Sequence, residues 1–226
     1  MQVTEPPFVQ QILKTFQKNH YEIYVVGGVV RDLLLNLPTT NWDFTTNAHP
    51  EQILALFPQA FYDNRFGTVG LVHQDDLIYE ITTFRRDFNY LDHRRPSQVK
   101  WGKTLKDDLS RRDFTVNAMA IKPIFNYELR ITNYELIDIF DGQKDLKNKL
   151  IRAVGNPDQR FQEDALRLLR AIRIATQLGF TIEEKTFASI QKNTHLLAFI
   201  SAERIRDEFL KLMASQIGRA SCRERV

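Results

Sequence analysis

Apolar positions along this chain follow two periods, and the change from one to the other divides it. Helical spacing covers about Glu5 to Lys18, Val29 to Asn36 and Pro50 to Phe57, the last with a proline at its start, where a missing N–H costs nothing. Runs rich in β-branched and aromatic residues predict strands over Tyr21 to Val26, Asp43 to Thr46, Thr68 to His73, Leu77 to Phe84, Asn117 to Lys122 and Glu135 to Ile139. Between Thr83 and Leu105 neither period holds and Pro96 intervenes, so a long mobile loop is expected. After Asp141-Gly142 the strand signals stop. From Pro157 onward the spacing is helical, with Gly179 closing one helix and Thr181 opening another. The pattern predicts an α+β head, residues 1–154, and an all-α neck, residues 155–216, with the boundary near Val154 to Pro157.

Composition adds bounds. At 226 residues and 43% hydrophobic, the chain can bury one sizeable core and a smaller helical one. No apolar run approaches the roughly 20 residues of a membrane span, and M-Q-V-T-E-P-P-F lacks a charged-then-apolar signal layout, so a cytoplasmic protein is expected. The net charge of +3 is small, but from Arg85 to Asp113 nine Lys or Arg stand against five Asp. That bias suits RNA or a triphosphate, or else a solvated charged loop. The end, Ile217 to Val226, back-translates to a common sequencing adapter and is expected to be non-native. It holds Cys222, the single cysteine, so the rest of the chain has no thiolate for zinc, disulfides or nucleophilic attack. The segment Asn126 to Leu136, N-Y-E-L-R-I-T-N-Y-E-L, begins one seven-residue unit twice; it is expected to be an exposed, lengthened hairpin without chemistry.

Candidate chemistry concentrates in G-G-V-V-R-D-L-L-L-N-L-P-T-T-N-W-D-F-T-T, Gly27 to Thr46. A strand runs into Gly27 and Gly28 and then a helix carrying Arg31, an order that lets backbone N–H groups and a guanidinium face an anion; the glycine pair taken alone is more often a tight turn. On a strand, residues two apart share a face, so Asn41 and Asp43 are expected side by side. A carboxylate pair there would hold a divalent cation, but Asn41 offers an oxygen without charge. Glu80, in I-Y-E-I-T-T-F, is either a further carboxylate for the same ion or a charged residue on a solvated strand face.

Three further motifs follow in order: R-R-D-F-T-V-N-A-M-A from Arg111, D-G-Q-K-D-L from Asp141, and R-F-Q-E-D-A-L-R-L-L-R-A from Arg160. Together, over residues 20 to 213, they resemble the class II CCA-adding tRNA nucleotidyltransferases and bacterial poly(A) polymerases. The resemblance implies a nucleotidyltransferase-type mixed β-sheet head with flanking helices, a two-ion Mg²⁺ site held by Asp43, a weakened Asn41 and Glu80, and transfer of nucleotides from CTP and ATP to the tRNA 3′ end. It implies that Arg111, Arg112 and Asp113 contact ribose and triphosphate, with Asn117 orienting the turn, and that Asp141 and Gly142 form a hinge or a plain turn. It also implies body and tail domains following the neck. The segment N-R-F-G-T-V-G-L-V, Asn64 to Val72, looks like the tRNA branch, and Thr83 to Trp101, with D-H-R-R-P, resembles the loop needed for adding A. A poly(A) polymerase, or a non-catalytic nucleotide or RNA binder disabled at position 41, remains an alternative.

The neck carries the base-reading candidates. On a helix starting near Glu163, with Ala165, Leu168, Leu169, Ile172 and Ala175 as its buried stripe, Asp164 and Arg167 would sit together at i and i+3. A carboxylate beside a guanidinium matches the amino donor and ring acceptors of C and A, and opposes the carbonyl that U and G present. A helix salt bridge is the plain alternative. Arg160, Glu163 and Arg170 read as supports, and Ser201 to Met213 as a helix exposing Ile205, Phe209 and Leu212.

Overall fold

The computed structural model describes residues 5–62, 67–73, 77–90, 96–126 and 131–215. Asn64 to Phe66, Asp92 to Arg95 and Ile217 to Val226 with Cys222 lie outside them. Contacts group the backbone into two compact units: Met1–Arg86, Val99–Ser110 and Asn117–Ile139 form one, and Asp87–Gln98, Arg111–Val116 and Phe140–Val226 the other. Residues 140–154, expected in the head, fall in the second unit. The ties are local: Thr115 N donates to Arg152 O, Val154 N to Asp113 O, and Phe114 bridges Ala153.

In the first unit the elements are α1 (Pro7–Lys18), β1 (Ile23–Val26), α2 (Gly28–Leu34), β2 (Asp43–Thr46), α3 (Pro50–Leu56), β3 (Phe61–Tyr62), β4 (Thr68–Val72), β5 (Ile78–Thr83), α4 (Leu105–Ser110), β8 (Met119–Asn126) and β9 (Ile131–Asp138). Their seven strands make one sheet in the order β3-β4-β5-β2-β1-β8-β9. Among the described residues its pairings are antiparallel except that of β2 with β5. The interior strand β1, I-Y-V-V, is buried on both faces, as an uninterrupted apolar run requires. Helix α1 buries Phe8, Val9, Ile12, Leu13 and Phe16, a stripe at helical spacing. It starts at Pro7 and not at Glu5, because Pro6 is extended (φ −58°, ψ 149°), as a residue before proline must be. The repeated segment does form a hairpin, β8 with β9, but Tyr134 within it is buried.

The stretch expected to be an unstructured loop contains β6 (Arg85–Tyr90) and β7 (Pro96–Trp101), a separate two-stranded sheet. Backbone pairing needs no apolar alternation, so R-R-D-F-N-Y gave no periodic signal. The second unit holds α5 (Gly142–Lys147), β10 (Leu150–Ile151), α6 (Pro157–Glu163), α7 (Leu166–Leu178), β11 (Thr181–Ile182), α8 (Glu184–Asn193) and α9 (Ala202–Met213). Strands therefore do not stop at Gly142: β10 and β11 pair in parallel, each only two residues long. Thr181 accordingly opens a strand, and Glu183 caps α8 by accepting from Thr186 N. Gly179 closes α7 in the left-handed conformation (φ 66°), as expected.

No helix runs through residue 164. Asp164 has φ −143° and ψ 103°, ends α6, and accepts from Leu166 N at 3.2 Å. An aspartate side chain that captures a backbone N–H two residues on competes with helix continuation. The buried stripe shifts with the break, to Leu166, Leu168, Ala171, Ile174 and Ala175, and Ile172 is exposed.

Candidate functional site

In the sheet unit the candidates cluster where β1 ends. Val26 leads into Gly27, whose φ of 85° and ψ of −147° suit glycine alone, and α2 begins at Gly28. Arg31, one turn along, folds back: its Nη2 lies 3.2 Å from where a Cβ on Gly28 would stand. Two partners fix that pose. Nη1 donates to Asn117 Oδ1 at 2.6 Å, and Nε and Nη2 reach Asp32 Oδ1 at 2.9 and 2.8 Å. Asn117, at the end of a short 3-10 turn, thus acts on the guanidinium. Asp32 is a residue the motif reading passed over, although it directly follows Arg31.

Asp43 opens β2 half-buried, opposite Val26 on one side and Glu80 on the other. Partner positions share a face, so the Asp43 and Glu80 side chains leave the sheet on the same side, from neighbouring strands about 4.8 Å apart. Glu80 is exposed, which leaves its carboxylate accessible. Asn41 is exposed too and stands two residues before Asp43, just ahead of the strand. Among the described residues no three His, Cys, Asp or Glu gather. Two carboxylates still fit Mg²⁺, which commonly takes one or two from protein and further oxygens from substrate phosphates.

In the helical unit, α7 holds the segment that begins at Arg111. Arg111 and Arg112 are half-buried and Asp113 is buried. Arg170 donates to Asp113 Oδ2 from Nη2 at 2.6 Å and Nε at 2.9 Å, while Asp113 Oδ1 accepts from Phe114 N. The nearby Asp113 charge raises the Arg170 pKa above its ordinary value, with burial opposing. One turn before, Arg167 donates to Glu163 Oε2 (2.9 Å), Arg160 O (3.1 Å) and Arg111 O (2.8 Å). Glu163 also pairs with Arg160 at 2.5 Å. Arg167 is therefore joined to Glu163 and not to Asp164. The partner of Asp164 is Arg204 on α9, at 3.3 Å. Arg204 Nη1 is buried with no hydrogen-bond partner among the described residues.

Sequence reasoning missed Arg204 and the buried Glu208, which receives Arg173 Nε at 2.5 Å, because S-A-E-R-I-R-D-E-F-L-K-L-M was read for its apolar positions. Those positions also need correction. Phe209 is exposed as expected, but Ile205 and Leu212 are half-buried, and Leu210 and Met213 are the exposed ones. Asp141 takes the left-handed conformation (φ 59°) and Gly142 starts α5, so the unusual dihedral belongs to the aspartate.

Comparison with known proteins agrees with these motifs. The family model described as "Poly A polymerase head domain" matches residues 23–152, and "Probable RNA and SrmB- binding site of polymerase A" matches residues 179–224. The CCA-adding enzyme of Lactobacillus helveticus is 46% identical over 202 residues, 89% of this chain and 48% of the relative. That of Enterococcus faecalis is 47% identical over 203 residues, again 89% and 48%. Among solved structures, the Bacillus stearothermophilus CCA-adding enzyme in complex with CTP superposes with a TM-score of 0.79 at 38% identity, covering 95% of this chain and 50% of that one. The Thermotoga maritima CCA-adding enzyme complexed with tRNA-CCA gives 0.73 at 30%, covering 94% and 48%. The chain spans about half the length of the curated relatives it matches.

Proposed function

From the family of the poly A polymerase head domain, to which this chain belongs, we propose that it carries the nucleotide-transferring half of an enzyme adding C and A from CTP and ATP to the 3′ end of tRNA. The observation that supports this most is the register: Glu80, Asp43 and Val26 are successive partners, and Val26 runs straight into Gly27, Gly28 and Arg31. Carboxylates and a phosphate-directed guanidinium stand side by side.

Arg31 is the phosphate ligand, held edge-on by Asp32 and Asn117 so that directed N–H groups meet the triphosphate. Asp43 and Glu80, with a weak contribution from Asn41, would hold Mg²⁺ in the family's two-ion site, where it offsets charge building on the phosphate oxygens. Arg111 and Arg112 serve the triphosphate and Asp113 the ribose, in a segment fixed by Arg170 and Arg167. Base reading falls to Asp164 and Arg167. Of the five guanidinium donors on Arg167, three are used internally, which leaves Nε–H and one Nη2–H for ring acceptors such as N3 and O2 of cytosine. The Asp164 carboxylate, steadied by Arg204, accepts from the N4 amino group of C or the N6 amino group of A, where U and G present a carbonyl oxygen. The sheet unit acts as catalytic head and the helical unit as neck, with Asp141-Gly142 the hinge. The work is cytoplasmic; among the described residues no helix is long and apolar enough to cross a membrane.

The exposed, uncharged Asn41 favours a second reading, a binder of nucleotide and RNA that has lost catalysis. Incorporation of CTP and ATP into tRNA lacking its 3′ end, by the chain and its Asn41→Asp form, separates the two. Activity rising by roughly a hundredfold or more in Asn41→Asp fits a restored metal ligand, on the scale at which single electrostatic groups act. Equal activity would remove residue 41 from the site. Nucleotide binding without incorporation by either form would favour the binder.

A further inference from the structure

Resting on that reading of the sheet unit, we propose that Phe61 is the stacking surface for the terminal base of the RNA strand being extended. The row of partners continues past Glu80: Glu80 faces Gly70, and Gly70 faces Phe61. Phe61, Gly70, Glu80, Asp43 and Val26 therefore stand across one face of the sheet at one level. The phenyl ring turns onto that face. A Cβ on Gly70 would lie 2.4 Å from Phe61 Cζ, so the ring occupies the place of the missing side chain. It is supported from beneath and still 39% exposed. With strands about 4.8 Å apart, the ring tip sits about 5 Å from the line of β5 and about 10 Å from that of β2.

The direction of the reaction decides what the ring meets. Nucleotidyl transfer places attacking and leaving oxygens roughly in line through the α-phosphorus. Pyrophosphate leaves toward Gly27, Gly28 and Arg31, beyond Asp43 on the β1 side. The attacking 3′-hydroxyl then arrives from the β5 side, over Glu80, and its own base extends onward toward Gly70 and Phe61. An aromatic face receives any base, which a strand whose terminal nucleotide changes after each addition requires.

A fluorescent 2-aminopurine at the 3′ end of a tRNA lacking CCA tests this, because stacking on a ring quenches it. The unaltered chain should quench the probe. Phe61→Leu keeps an apolar cover over Gly70 but has no π-face; it should lose the quenching and weaken RNA binding about tenfold, with CTP affinity and melting temperature unchanged. Phe61→Trp should restore the quenching. Equal quenching by the parent and Phe61→Leu, or weakened CTP binding in place of RNA binding, would overturn the proposal. An unquenched probe in a parent that binds CTP overturns it as well and leaves the family reading standing; a parent that binds neither CTP nor ATP overturns both.

Discussion

Arg167→Ala should damage the helical unit as well as base selection. The side chain is 11% exposed and its partner Glu163 14%. It satisfies that carboxylate and two backbone carbonyls, of Arg160 and Arg111. Removing one member of a buried ion pair typically costs about 3–5 kcal/mol, because the other is left uncompensated. Glu163 keeps Arg160, so the loss here falls below that range, at about 2–3 kcal/mol. At roughly 2–4 °C per kcal/mol for a chain of this size, melting should fall by about 5–10 °C. Arg167→Lys retains the charge but not the fork of donors and should lose about half as much. Calorimetric titration at a temperature where each variant is folded then reads selection. The preference for CTP and ATP over UTP and GTP should shrink more than triphosphate binding, since Arg31 lies in the other unit. Arg167→Ala melting within 1 °C of the parent, with nucleotide preferences unchanged, would refute both the packing and the base-reading arguments.

Asn41→Asp places a second negative charge near Asp43, so the metal-free protein should gain no stability, and a rise in melting temperature should appear only with Mg²⁺; a rise without metal would contradict the ligand role. Gly67→Ala should cost about 2–3 kcal/mol in urea unfolding, because φ is +82° and the new Cβ would stand 2.5 Å from Trp101 Cζ3. Trp101 emission should move with it, since the other tryptophan, Trp42, is buried, and unchanged emission and stability would count against the packing. Tyr24 and Tyr134 should ionise above the ordinary tyrosine range. Burial, followed by Glu22, pushes Tyr24 up to about 12, and burial followed by Glu5 raises Tyr134. A folded pKa above the unfolded value of 10 stabilises the fold below pH 10, and that stability is lost as pH rises toward 12. Absorbance titration of the parent against its Tyr24→Phe and Tyr134→Phe forms, beside unfolding curves, checks this; a loss of absorbance change near pH 10 in either variant would refute it.

Much of the sheet unit was legible because its signals are local. β2 lies where D-F-T-T predicts it, and two glycines and an arginine after an apolar strand marked the turn into α2. The hairpin of β8 and β9 was legible too. What escaped depends on contacts distant in sequence. Glu80 meets Asp43 through a parallel pairing 37 residues apart, and no local pattern could choose between that and a solvated face. Arg204 reaches Asp164 across 40 residues. The break at Asp164 was hidden because apolar spacing continues through it, while one side chain capturing Leu166 N ends the helix. β6 and β7 were missed for the opposite reason: polar strands pair through backbone atoms, which sequence periodicity does not record.

The central claim, that this chain selects C and A nucleotides for transfer, is tested most directly by equilibrium binding of the four ribonucleoside triphosphates in Mg²⁺, which needs no turnover. CTP and ATP should bind at least tenfold more tightly than UTP and GTP, and Asp164→Asn should compress that ratio toward one. Four triphosphates bound with equal affinity, or a ratio that survives Asp164→Asn, would contradict the account.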